Sequence, residues 1–209
     1  MYVPQAFRVE DPNVVAAFMR QFEFAAVVTN SPSGLVASHV PVLVRGNGTD
    51  MRVAGHLARA NGHWKLMDGR AESMLIFSGP HAYISPSWYA GAGPAVPTWN
   101  YSVVHAYGTP AVLDDWQAVR QLLEDTVTTF EAGLAEQWST SRAGEDYITR
   151  LAQAIVAFEI PITRLDGKRK LSQNRPSDIQ SAAAGLQAYG DATGQVIAEQ
   201  MLEVARSLR

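Results

Sequence analysis

Two polar segments and one aromatic stretch carry the residue types best suited to chemistry. The first is Gly55-His56-Leu57-Ala58-Arg59-Ala60-Asn61, where an apolar run ends in small residues, a guanidinium and an amide. Free N–H groups at a helix start, joined by Arg59 and Asn61, would form a donor set for a phosphate. The plainer alternative makes Asn61 a cap and Arg59 a solvated surface charge. The second segment is Leu165-Asp166-Gly167-Lys168-Arg169-Lys170-Leu171-Ser172-Gln173-Asn174-Arg175, with four cations, one acid and three neutral hydrogen-bonding side chains. It suits a phosphate, a nucleic acid or the edge of a heteroaromatic ring, or is an exposed turn after a strand. The third element is Ser85-Pro86-Ser87-Trp88-Tyr89 with Val96-Pro97-Thr98-Trp99-Asn100-Tyr101, flat rings beside amides and hydroxyls on proline-stiffened loops. Rings of this kind serve a planar ligand, an oligomer interface or a core. Together the three point to a phosphorylated planar cofactor at a barrel surface, without choosing flavin over another nucleotide.

Other chemistries have no motif here. GxGxxG, Walker A, GxSxG and HExxH patterns do not occur. Gly46-Asn47-Gly48 and Gly91-Ala92-Gly93 read as turns, and the Asn47-Gly48-Thr49 sequon as part of a hairpin turn. With no cysteine there is no disulfide, thiolate zinc site or cysteine nucleophile. His39, His56, His63, His81 and His105 lack the i,i+4 spacing of a helical metal site, which leaves open only zinc held by distant strands.

The elements that must position these residues are mostly strands. Asp11-Pro12 opens a short helix bearing Val14, Val15 and Phe18. Strands are expected at residues 24–30, 35–44, 51–57, 74–77, 82–85, 101–113 and 156–165, with turn residues such as Ser31-Pro32-Ser33-Gly34 between them. Asn61 caps a short helix through Trp64 to Met67. Asp114 caps a helix with Trp116, Val119, Leu123, Val127 and Phe130 on one face, and 145–155 is a second amphipathic helix. From Asp178 the chain reads as a helical tail broken at Tyr189-Gly190-Asp191, with an apolar stripe at Val196, Ile197, Met201, Leu202 and Val204. Adjacent strands with helices inserted late do not follow the βαβα rhythm of a parallel sheet. The expectation is a mainly β protein with added helices, a Greek-key barrel, in which residues 1–176 form the barrel domain and 177–209 a helical extension packed on it.

Composition narrows the function classes. The 209 residues are 47% hydrophobic and 18% charged with net charge −3, which excludes a disordered chain. The N-terminus lacks a basic start and apolar run, so a cytoplasmic protein is expected. From Ser73 to Leu113 there is no Asp, Glu, Lys or Arg, yet that stretch holds Tyr83, Tyr89, Tyr101, Tyr107, Trp88 and Trp99. Five prolines interrupt it, so it is no membrane span. Something must cover so much uncharged aromatic surface.

The segments His56–Asn61, Phe77–Tyr89, Val96–Tyr101 and Lys170–Asn174, in this order, resemble the PaiB-type negative transcriptional regulators of the FMN-binding split-barrel superfamily. The likeness runs from Met1 to about Met201. It implies a six-stranded split β-barrel and a homodimer with FMN in a groove between subunits. Arg59 and Asn61, with His56 beside them, would then hold the phosphate, and Ser38 and His39 would line the ring edge. Trp99, Asn100, Lys170, Ser172, Gln173 and Asn174 would approach the cofactor, some from the partner subunit. The chain departs from the family at Arg169, where a tryptophan is usual, and at Gly62, where a proline is frequent.

Three functions follow as expectations. The family name implies an FMN-binding repressor of catabolic, sporulation or protease genes, acting directly or through a partner. Direct DNA binding normally leaves a basic footprint, which net charge −3 does not supply. The second is a flavin-dependent oxidoreductase passing electrons to a small acceptor, with His39, His81 and His105 as candidate proton donors. The third is a non-flavin module that uses its aromatic surface only to dimerise.

Overall fold

A computed structural model describes residues 1–208 apart from Ala92 and Gly190. The centre of the expected Gly91-Ala92-Gly93 turn and of the break at Tyr189-Gly190-Asp191 therefore lies outside the described residues. The strands are β1 (Arg8–Val9), β2 (Phe24–Ser31), β3 (Gly34–Arg45), β4 (Arg52–Ala58), β5 (Ser73–Ile84), β6 (Thr98–Gly108), β7 (Ala111–Val112) and β8 (Ile155–Lys170). The helices are α1 (Pro12–Gln21), α2 (Trp116–Glu131), α3 (Glu145–Ala152), α4 (Ile179–Tyr189) and α5 (Ala192–Ser207). Neighbouring strands run β1-β8-β4-β3-β2-β5-β6, and β6 also pairs with β8, so six strands return on themselves. This is the mainly antiparallel split barrel with a helical tail that the sequence leads one to expect.

The chain divides into two compact units, each built from separated segments. The first unit comprises Met1–Phe18, Ser78–His105 and Asp166–Arg209; the second comprises Met19–Phe77 and Ala106–Leu165. In the second unit β2 pairs with β3 from Phe24↔Pro41 to Ser31↔Gly34, and β4 pairs with β8 from Arg52↔Pro161 to Ala58↔Ile155. Alternation buries Ala25, Val27 and Thr29 on β2, with Val53, Leu57, Leu75, Phe77, Phe158 and Ile160. Each large side chain removed from water in this way contributes about 1.5–3 kcal/mol. Leu43, Ala54 and Ala157 receive α2 through Leu122. In the first unit Ile179, Ala182, Leu186, Ile197 and Met201 from α4 and α5 pack with Ala82, Ile84 and Leu171.

Several boundaries differ from the sequence expectation. Residues 73–84 form one strand rather than two; its buried positions change from Ser73, Leu75 and Phe77 to Ala82 and Ile84. That change of parity around Ser78-Gly79-Pro80 is what made the strand look interrupted, because side chains alternate strictly along an undisturbed strand. Strand β6 begins at Thr98, so Trp99 and Asn100 lie on a strand, not on a loop. Strand β8 continues to Lys170 instead of ending at Leu165. There β1 supplies a backbone partner, Arg8↔Lys168 and Val9↔Gly167. The Lys168 amine donates to the Tyr2 carbonyl and lies over the Tyr101 ring, which lets a charged residue sit in a buried strand.

Helix starts and ends shift for equally local reasons. Asp115, not Asp114, caps α2, accepting from the Ala118 N–H at 3.0 Å. Leu122 is the buried leucine of α2, while Trp116 and Phe130 of the expected stripe are exposed. Helix α3 ends at Ala152, and Ile155 already belongs to β8.

Gly108 on β6 marks the tightest backbone approach in the second unit. A Cβ there would stand 2.1 Å from the Pro161 carbonyl oxygen and 2.8 Å from Ile160. Backbone on one side and a buried side chain on the other leave nothing that can yield cheaply. Gly108→Ala is therefore expected to lower unfolding free energy by about 2–3 kcal/mol in urea denaturation; a loss below about 0.5 kcal/mol would show that the strands separate freely.

Candidate functional site

The end of β4 and the turn after it carry the first group of expected site residues. Asn61 caps a single 3-10 turn, Gly62–Leu66, by accepting from the His63 N–H at 3.1 Å. The same amide donates through Nδ2 to the Ser38 hydroxyl at 2.9 Å. Ser38 and His39 are consecutive on β3 and so face opposite ways: Ser38 is buried, whereas His39 is exposed with its ring stacked on Phe24 at 6.3 Å. His56 is half-buried, and burial holds its imidazole below the usual value.

Arg59 has more than one task. Its Nε donates to the Gln153 carbonyl at 2.7 Å and its Nη2 to the Ile155 carbonyl at 2.8 Å. Its backbone N–H bonds Ala154, and its own carbonyl accepts from the Trp64 indole at 2.9 Å. The guanidinium thus ties the β4 end to the start of β8 while its side chain stays exposed. A guanidinium has five N–H donors, so these two bonds leave donors for an anion.

His63 links the elements beneath this surface, and the sequence reading gave it no role. Nδ1 lies 2.9 Å from the Ser38 hydroxyl and Nε2 lies 2.9 Å from the Thr29 hydroxyl, which is itself 2.6 Å from Ser73. His63, Ser38, Thr29 and Ser73 are all buried. Burial keeps the imidazole pKa below its ordinary value, so the ring is neutral, one nitrogen donating and the other accepting. With Nδ1–H donating, Ser38 accepts from both Asn61 and His63, and its own O–H remains for a ligand. With Nε2–H donating, Ser38 gives its proton to Nδ1 and keeps one lone pair. The network can therefore offer a donor or an acceptor at Ser38. Position was the only available signal: His63 stands two residues after the cap Asn61.

The second group of expected residues lies in the first unit. Asn100 is fully buried; its Nδ2 donates to the Ser172 hydroxyl at 3.0 Å and approaches Met201 Sδ at 3.3 Å. Ser172 has φ +67°, a left-handed conformation that few residues other than glycine adopt readily. Gln173 accepts from the Leu171 N–H and donates to the Arg169 carbonyl. Lys170 donates to the Thr98 hydroxyl and to the Trp99 carbonyl, and burial lowers its pKa. Asn174 and Trp99 are exposed, Trp99 at 53%. Arg169 pairs with Glu203 at 3.5 Å. The structure thus brings together Ser38, Asn61 and His63 in one network, and Asn100, Ser172 and Met201 in another. Asn100, Ser172 and Gln173 spend much of their hydrogen-bonding capacity on the fold itself.

The donor set at the β4 end fits the phosphate of a nucleotide cofactor: an exposed guanidinium, an amide and a hydroxyl that can turn its proton outward. Acid should weaken this region. Because the folded-state pKa of His63 lies below its unfolded value near 6.5, the unfolded chain binds the proton first as pH falls. Stability from His63 is complete above that value and declines through and below it, and His56 contributes in the same sense. Melting temperature is expected to fall between pH 7.5 and 5.5, with a smaller fall in His63→Gln. An identical pH dependence in the variant would remove His63 from the account.

Comparison with known proteins agrees with this architecture. The protein named "Protease synthase and sporulation protein PAI 2" from Bacillus subtilis (strain 168) is 29% identical over 202 residues, covering 96% of each chain. The structure of the flavocytochrome Anf3 from Azotobacter vinelandii superposes with TM-score 0.58 at 14% identity, covering 80% of this chain and 72% of that one. The FAD and heme binding protein from Mycobacterium smegmatis gives TM-score 0.57 at 15% identity, covering 78% and 73%. Residues 1–164 match the family described as "Putative FMN-binding domain". The chain belongs to that FMN-binding family, as a flavin-binding split-barrel protein.

Proposed function

We propose that this chain is a homodimeric, cytoplasmic FMN-binding protein that lowers transcription of protease, sporulation or catabolic genes, acting through a partner or a redox signal. The similarity to the Bacillus subtilis protein over 96% of both chains carries this reading, since that protein's name refers to protease synthesis and sporulation. Direct repression has weaker physical support, because net charge −3 does not favour a polyanion.

FMN, when bound, supplies the redox chemistry. The chain's own residues bind and orient it. Arg59 and Asn61 hold the phosphate, with His56 beside them. Ser38 adds a hydroxyl next to Asn61, donating or accepting according to the His63 tautomer, and His39, on the opposite face of β3, is the one of the pair left to meet a ring edge. Trp99, Asn100, Lys170, Ser172, Gln173 and Asn174 approach from the partner subunit or stiffen the wall that does. Residues 1–176 act as the barrel domain and 177–209 as its extension.

A second reading, electron transfer from FMN to a small acceptor, draws on the flavin-binding proteins that share the fold. Reduction of the bound flavin by NADH or NADPH, followed by its reoxidation with a small acceptor, would favour it.

FMN titration with mass determination in solution tests the first reading. The expected result is saturable binding of one FMN per chain and twice the chain mass of 22.7 kDa. Arg59→Ala should raise the dissociation constant about tenfold or more, because a charge-assisted hydrogen bond contributes about 1.5–3 kcal/mol. Unchanged affinity in that variant would contradict the phosphate assignment. With labelled promoter DNA, salt-sensitive saturable binding would overturn the indirect mechanism.

A further inference from the structure

The first unit carries an open cavity of about 500 Å³, within the size range of small-molecule sites. Four aromatic side chains, Tyr83, Trp88, Trp99 and Tyr189, line it together with His81. The Trp99 ring lies 6.2 Å from Tyr83 in an edge-on arrangement and 5.9 Å from His81. Trp88 is fixed from behind: a Cβ at Gly185 of α4 would stand 2.3 Å from its ring, so this glycine lets the indole lie flat on the helix.

Charge decides what such a cavity takes. Its described lining contains Asp191 and neither Lys nor Arg. Asp191 Oδ1 caps α5 by accepting from the Gly194 N–H at 2.9 Å, and Oδ2 takes no hydrogen bond from the described residues. The helix start brings roughly half a positive charge, which the full negative charge of the carboxylate outweighs. Ring faces are electron-rich and attract cations. Among the described lining residues a phosphate would find neither Lys nor Arg.

We propose that this cavity binds a planar, positively charged heteroaromatic molecule without phosphate groups, such as an N-alkylated pyridinium or quinolinium. The aromatic walls supply face and edge contacts, and Asp191 supplies the counter-charge. The inference rests on the cavity alone and does not require the regulatory reading.

Calorimetric titration of the full chain with 1-methylquinolinium and with 2-naphthoate, a bicyclic anion of similar size, tests it. The cation should bind saturably, at least tenfold more tightly than the anion. Asp191→Asn keeps a side-chain oxygen to cap α5 and removes the charge, so it should weaken the cation at least fivefold without lowering the melting temperature. Tyr189→Ala, at an exposed position of the lining, should weaken the cation as well. Equal binding of anion and cation, no saturable binding, or indifference to Asp191→Asn would overturn the proposal. Displacement of the cation by excess FMN would also overturn it, because the cavity would then be the seat of the cofactor ring.

Discussion

A neutral, buried imidazole holds the candidate phosphate site together. His63 has one hydroxyl on each ring nitrogen, Ser38 at 2.9 Å and Thr29 at 2.9 Å. Thr29 passes the chain on to Ser73, and Ser38 receives Asn61. Strands β2, β3 and β5 and the turn after β4 therefore share one set of protons. Each buried polar group in it is satisfied only while the others remain in place, since an orphaned donor or acceptor costs about 1–3 kcal/mol. Charging the ring would place a cation in a buried site where only neutral hydroxyls meet its nitrogens, so the cost is lost hydration and not a lost hydrogen bond. Burial keeps the ring neutral, and the hydrogen bonds at its nitrogens and at Asn61 keep Ser38 aimed.

Arg59 does the same work from the other side. By bonding the Gln153 and Ile155 carbonyls, it anchors the β4 end to the chain entering β8. The anchored guanidinium is held in position before any anion arrives, which lowers the entropy lost on binding. In the first unit, Lys170, Asn100 and Ser172 serve β6, β8 and α5 in a similar way. Their bonds explain why polar side chains stand in otherwise apolar surroundings.

Much of the fold was legible because it rests on local signals. Asp11-Pro12, the Ser31-to-Gly34 turn and the alternation in β2 and β4 each announce their element. The cap at Asn61 was legible too. What failed was whatever depended on distant partners. The charged run Lys168-Arg169-Lys170 looks like a turn until β1 pairs with Gly167 and Lys168 at its start. Trp99 and Asn100 look like loop residues until β8 and α5 take up their neighbours. For the site, residue types indicated Arg59 and Asn61, and Ser38 entered only through the family resemblance. His63 was hidden, because its importance lies in bridging Thr29 and Ser38, residues 34 and 25 positions away. No sequence spacing encodes that bridge.

The uncharged span from Ser73 to Leu113 acquires a physical explanation in the same terms. Part of it is core, through Leu75, Phe77, Ile84 and Val104. Part lines the cavity of the first unit, through Tyr83, Trp88 and Trp99. The claim on which the functional account turns is that the β4 end receives the FMN phosphate. A crystal structure of the chain grown with FMN tests it most directly. The account predicts phosphate oxygens within hydrogen-bond distance of Arg59 and Asn61, with the His63 bridge intact beneath them. A phosphate seated instead on Lys168, Arg169 or Lys170 would contradict it.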